Sequence, residues 1–238
     1  MKTTTIKTLA AGLVAFMVGS TTLNAQKLDK FGADFGKKSV MGKEIRVSYT
    51  DIITYYGFVK PGSTPDETRD GKKYYYLYLW VPAVAPEIGV RMCSPVPEKM
   101  SKPEKTDIVS PDYTANEADK TSYFDTWISL ERAEGITSVA DIAGKAKTAK
   151  WNRYDQNDDS GEMPTQPSGS KYNSLMRITS EVSNPLKALV VGLYRIGFTT
   201  YKTGEVQGSF VAQVGAPVKL PGAAIAKTID DLLKVVKK

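Results

Sequence analysis

Residues 74–81, YYYLYLWV, constrain the fold more than any other stretch of the chain. Aromatic and aliphatic side chains occupy both alternating faces, and Pro82 and Pro86 end the run. A strand that is apolar on both faces must be covered on both, so it reads as a central strand with material packed above and below. Residues 44–59 alternate, with Ile45, Val47 and Tyr49 set against Arg46, Ser48 and Thr50, the period of a half-buried strand. Residues 123–131, 172–178, 189–201 and 206–214 have similar composition. Turn residues separate these runs. Pro61-Gly62, Pro65-Asp66 and Asp70-Gly71 mark a loop over 60–73. Residues 96–120, rich in Pro, Lys, Asp and Ser, predict a long surface excursion. Gly204 in the connection 202–205 predicts a hairpin between the last two strands. Gly192 and Gly197 inside a strand predict a bulge or the close approach of another chain segment.

Helical signals are few. Ser138 can cap a helix, with Asp141 three residues on and Lys145 and Lys147 near its negative end. Residues 225–236 place Ile225, Ile229, Leu232, Leu233 and Val236 on one helical face and charges largely opposite. The sum is a mainly β, antiparallel sandwich with a few peripheral helices, including a C-terminal amphipathic one. Residues 1–25 read as a secretory signal: Lys2 and Lys7 precede a short apolar run over 9–19, and Ala25 offers a small residue for cleavage. Residues 26–44 form a polar, lysine-rich N-terminal arm, and 45–238 a single domain. Export follows, to the periplasm, the outer-membrane surface or the medium. Beyond the signal, no apolar run is long enough to span a bilayer.

The chain has no histidine and one cysteine. Histidine-dependent triads and zinc sites are therefore excluded by inventory. Cys93 has no partner for an internal disulfide and lies in an alternating stretch that suits a small buried residue. The formal charge of +6 is mild and dispersed, without a recognisable nucleic-acid module, so no nucleic-acid partner is expected.

Against that background residues 155–162, DQNDDSGE, stand out. Seven of these side chains carry oxygen and four are carboxylates. A metal held here must accept hard oxygen ligands, which favours calcium over magnesium. Asp158 and Asp159 are adjacent and repel unless a cation lies between them; Gly161 lets the backbone turn its carbonyls inward. The stretch is not an EF-hand. Counted from Asp155, glycine falls one place late and the twelfth position is Gln166. From its residues alone, a solvated acidic loop that binds nothing is the more ordinary reading of such a stretch. Residues 152–171 are expected to be loop throughout.

Several strands carry a more specific pattern. YYGFVKPG at 55–62, YYLYLWVPAV at 75–84 followed by GVRM at 89–92, FDTWI at 124–128 and KYNSL at 171–175 resemble segments of the surface lipoprotein family typified by the major outer-membrane lipoprotein of Leptospira. GLYRIGFTTYK at 192–202, with Gly204-Glu205-Val206 and GSFVA at 208–212, extends the resemblance over most of residues 54–215. The resemblance implies a jelly-roll β-sandwich at a bacterial envelope, with a calcium (Ca2+) site and adhesion to host extracellular-matrix proteins. The implied ligands fall on Asp125, Thr126, Asp158, Asp159 and Tyr172. Asp125 would add a third charge, and Thr126 and Tyr172 neutral oxygens. This chain departs from the family pattern in three places. Its acidic run is diluted by Gln156, Asn157 and Ser160, it has no lipid-bearing cysteine after the signal, and its C-terminal segment is shorter.

The function expected is thus a non-enzymatic, calcium-binding envelope or secreted protein that adheres to matrix or other surface proteins. The alternative is a carbohydrate-binding or carbohydrate-cleaving jelly roll. Glycoside cleavage needs only two carboxylates, and Glu87, Glu131 and Glu205 are the candidates. The aromatic strand 74–80 could stack sugars, although sheet packing is the preferred explanation.

Overall fold

The computed structural model of the protein describes residues 31–202 and 204–237. The signal segment read from residues 1–25 lies outside the described residues, as does Thr203 in the connection 202–205. The strands are β1 (Gly32–Val40), β2 (Lys43–Ser48), β3 (Asp51–Val59), β4 (Glu67–Arg69), β5 (Lys72–Val81), β6 (Glu87–Cys93), β7 (Ile108–Val109), β8 (Thr126–Ala133), β9 (Trp151–Asn157), β10 (Ser174–Thr179), β11 (Gly192–Thr200), β12 (Gly208–Ala216) and β13 (Ala224–Ala226). The helices are α1 (Pro111–Asn116), α2 (Val139–Lys145) and α3 (Ile229–Val236).

Two sheets face each other. One runs β10-β6-β12-β3-β7, the other β13-β5-β11-β8-β9 with β4 attached to β5. Every pair is antiparallel except β3 with β7. The core is written by alternation. Leu77, Leu79, Ile128, Leu130, Ile196 and Phe198 project from one sheet onto Ile88, Val90, Met92, Phe210, Ala212 and Val214 of the other. Phe198 and Phe210 meet with ring centroids 4.9 Å apart, and Phe124 joins them from just before β8. Each of the larger of these side chains stabilises the fold by about 1.5–3 kcal/mol through burial.

β5 is central, between β13 and β11. Its outward Trp80 lies under α2 and α3, packed in one cluster with Leu193, Ile142 and Leu232. That is the two-sided cover its composition demands. Gly197 marks a close approach: a Cβ there would lie 2.7 Å from Ser129 Oγ and 3.0 Å from the Tyr76 ring. Cys93 is buried, and desolvation pushes its thiol up to about 12.

Four sequence expectations are corrected. β11 and β12 do not form a hairpin. Both edges of β11 are occupied, by β5 and β8, while β12 lies between β3 and β6 in the opposite sheet. The connection crosses layers about 10 Å apart, within reach of a chain that extends about 3.3 Å per residue. The C-terminal helix begins at Ile229 rather than 225. Residues 224–226 pair with Trp80–Tyr78 as β13, Ile225 enters the core, and Thr228 caps the helix by accepting from the Asp231 amide. Residues 151–157 are an edge strand, not loop, because β8 offers them a backbone edge despite their polarity. The excursion 96–120 contains β7 and α1, where Ser110 accepts from the Tyr113 amide and Tyr113 is buried against Tyr56.

Residues 32–48, which straddle the predicted boundary between arm and domain, fold as a two-stranded ribbon of β1 and β2. Its base is tied to the body. Asp34 and Phe35 donate their amides to the Glu87 carboxylate, and Tyr49 donates its hydroxyl to the same group at 2.6 Å.

Candidate functional site

The site lies where the chain crosses from one sheet to the other. β9 is the last strand of its sheet and β10 the last of the opposite one, and residues 158–173 join them. Asp125 precedes β8 directly and follows Phe124, which is locked in the core by its stacking on Phe198. The residues expected as ligands come from three separate segments, and the fold brings the segments together.

Thr126 and Tyr172 are joined through the backbone. The Thr126 amide and hydroxyl both donate to the Tyr172 carbonyl, at 3.0 and 3.2 Å. The Ser174 hydroxyl lies 2.6 Å from the Thr126 carbonyl and 2.5 Å from the Asp158 carbonyl. Asp159 donates its amide to the Asp158 carboxylate at 2.9 Å. The Thr126 hydroxyl is fully engaged, so its part is to position the two segments rather than to offer a free oxygen. The Tyr172 ring is partly exposed, and only its carbonyl points into the seam.

The carboxylates are not balanced. Burial raises the Asp125 carboxyl to about 6, reinforced by the charges of Asp159 and Asp158 and only weakly opposed by Lys202 and Lys72. Burial and Asp158 also raise Asp159. Asp125 Oδ1 is buried without a hydrogen-bond partner among the described residues. An orphaned, buried carboxylate oxygen facing two further acids is the arrangement a divalent cation relieves. These residues fit a hard cation with mixed carboxylate and carbonyl donors. Among the described residues, however, no three acidic or thiol side chains stand ready-made as a metal cage.

Sequence reasoning missed the groups that hold the crossing loop in place. Asn173 is buried; its Oδ1 accepts from the Ser94 amide at 2.9 Å and its Nδ2 donates to the Pro164 carbonyl at 2.8 Å. Gln166 donates to the carbonyls of Ser94 and Phe124 at 2.7 and 2.6 Å. Ser174 opens β10 where alternation alone would allow an apolar residue. Polar side chains at Asn173 and Ser174, next to a strand, were the available signal.

Residues 43–225 match one family model, Lipl32, the surface lipoprotein of the Spirochaetales order. The chain belongs to this family. The match spans Asp125, Thr126, Asp158, Asp159 and Tyr172 and every strand from β2 to β12. No curated protein matches the chain. As a Spirochaetales surface lipoprotein the protein is exported and displayed at the cell surface. Its sole cysteine, Cys93, is buried in a cluster with Val96 and Tyr113. Among the described residues no helix is long and apolar enough to cross a membrane.

The glutamates considered for carbohydrate cleavage do not converge. Glu87 is fully buried and holds the base of the ribbon. Glu205 is exposed beside Lys73. Glu131 is enclosed by Arg195, Arg69 and Arg153, at 2.6, 3.0 and 3.6 Å. The aromatic residues of β5 serve packing: Arg195 is sandwiched between the rings of Tyr76 and Trp151, at 3.8 and 4.3 Å.

Proposed function

We propose that this member of the surface lipoprotein family is a non-enzymatic adhesion module whose sandwich seam is completed by calcium. Asp125, Asp158 and Asp159 would supply charge, and the carbonyls of Tyr172 and Thr126 neutral oxygen once the Thr126 and Ser174 hydroxyls that now donate to them turn away. The observation that carries the reading is the unpartnered, buried Oδ1 of Asp125 placed against two further aspartates. Calcium suits the seam better than magnesium because the donors lie on a crossing loop that can close on a larger ion with irregular geometry. Bound there, the cation supplies positive charge that joins the edges of the two sheets. The Thr126 amide and the Ser174 hydroxyl hold the carbonyls of residues 172 and 158 in place.

Calorimetric titration with calcium should show a single saturable site in the wild type and none in Asp158→Ala/Asp159→Ala, with the same far-ultraviolet circular dichroism for both. No heat from the wild type would overturn the metal reading. Adhesion rests on family membership and display at the surface. A solid-phase screen against matrix proteins and glycans, in calcium and in chelator, tests it. Binding to glycans alone would favour the carbohydrate reading.

A further inference from the structure

We propose that the β1–β2 ribbon is a membrane-docking element that sets its tip into an anionic lipid surface. The ribbon is two-faced. Opposed residues of an antiparallel pair share a face, and Lys38 pairs with Ile45 as Val40 pairs with Lys43. Val40, Ile45 and Val47 therefore lie on one face, flanked by Lys38 and Lys43. The other face is polar, with Lys37 on Glu44 at 2.6 Å and Arg46 on Asp34 at 2.8 Å. The apolar face is open to solvent: Val40 is 48%, Ile45 54% and Val47 44% exposed.

Met41 at the tip is 98% exposed and has φ 51°, followed by Gly42 at 74°. This two-residue turn favours Asn-Gly, and a long apolar side chain in the left-handed region is uncommon. Neither turn stability nor solubility accounts for methionine there, whereas insertion among acyl chains does. Lys38 and Lys43 form no ion pair among the described residues. Their stems are long enough to cover apolar surface while the ammonium groups meet anionic headgroups. A second copy docked ribbon to ribbon would match the apolar face but set Lys38 and Lys43 against their own like charges.

The test is co-sedimentation of the purified exported protein with vesicles of phosphatidylglycerol mixed into phosphatidylcholine, and with phosphatidylcholine alone. All variants share one N-terminus, so its contribution is common to them. Met41→Asn suits the turn and preserves the fold; it should weaken binding to the anionic vesicles about tenfold. Lys38→Gln/Lys43→Gln should weaken it by about fivefold per lysine and abolish its salt dependence. Absence of anionic-vesicle binding in the wild type overturns the proposal. So does equal binding by the variants, or a change in sedimentation from dimer to monomer with vesicle binding unaltered, which would make the ribbon a self-association surface.

Discussion

Asp125 and Glu131 are carboxylates at opposite ends of the same strand region, and the protein treats them in opposite ways. Glu131 is almost fully buried, which alone would raise its pKa, yet the charges and hydrogen bonds of Arg195 and Arg69 hold it below the ordinary range. Asp125 is less buried, but burial and the charges of Asp159 and Asp158 raise its carboxyl, with Lys202 and Lys72 opposing only weakly. The protein supplies the counter-charge in one place and leaves it out in the other. A carboxylate balanced from within is structural; one left unbalanced at a seam between segments is the kind of group on which the calcium proposal rests.

The largest effect should come from breaking the balanced cluster. Glu131→Gln leaves the buried Arg195 with only the more distant Glu67, at 3.6 Å, as a counter-charge, and urea denaturation should show a loss of about 3 kcal/mol. The acid limb of the stability curve should report the same cluster. Glu131 and Glu162 both have lowered folded pKa values, Glu162 through Arg177 and Arg46 against its burial. Their contribution is complete above the unfolded value of about 4.3 and is lost as pH falls through the lower folded values. Urea midpoints should therefore drop below about pH 4, and drop less in Glu162→Gln. At the unbalanced site the sign reverses. In chelator, Asp125→Asn removes like-charge repulsion and should stabilise the protein on the order of 1 kcal/mol, whereas in calcium it should lose that advantage. The smallest effect belongs to the surface: Lys73 and Glu205 pair at 2.6 Å but are both well exposed, and Lys73→Ala should shift stability by under about 0.5 kcal/mol.

The sandwich was legible because its strands carry their period openly, residues 74–81 above all. β9 was not: in WNRYDQN only Tyr154 is buried, so pairing to β8 rather than composition makes it a strand. The sheet change between β11 and β12 was hidden for a related reason, since both are buried along their whole length and neither composition says which neighbours fill their edges. Asp158 and Asp159 could be singled out from their own chemistry, whereas Asp125, Thr126 and Tyr172 were proposed only through resemblance. Asn173, Gln166 and Ser174 bond to residues tens of positions away, which local pattern does not encode. The same holds for the Glu131 cluster, assembled from Arg69, Arg153 and Arg195 on three different strands.

The central proposal is that calcium would supply the positive charge the seam lacks. The most direct measurement is the melting temperature of wild type and Asp125→Asn in saturating calcium and in chelator. Calcium at about a hundred times its dissociation constant should stabilise the wild type by about 2.7 kcal/mol, seen as a rise of several degrees that is absent in the variant. Superimposable wild-type melting curves in calcium and chelator would contradict the account.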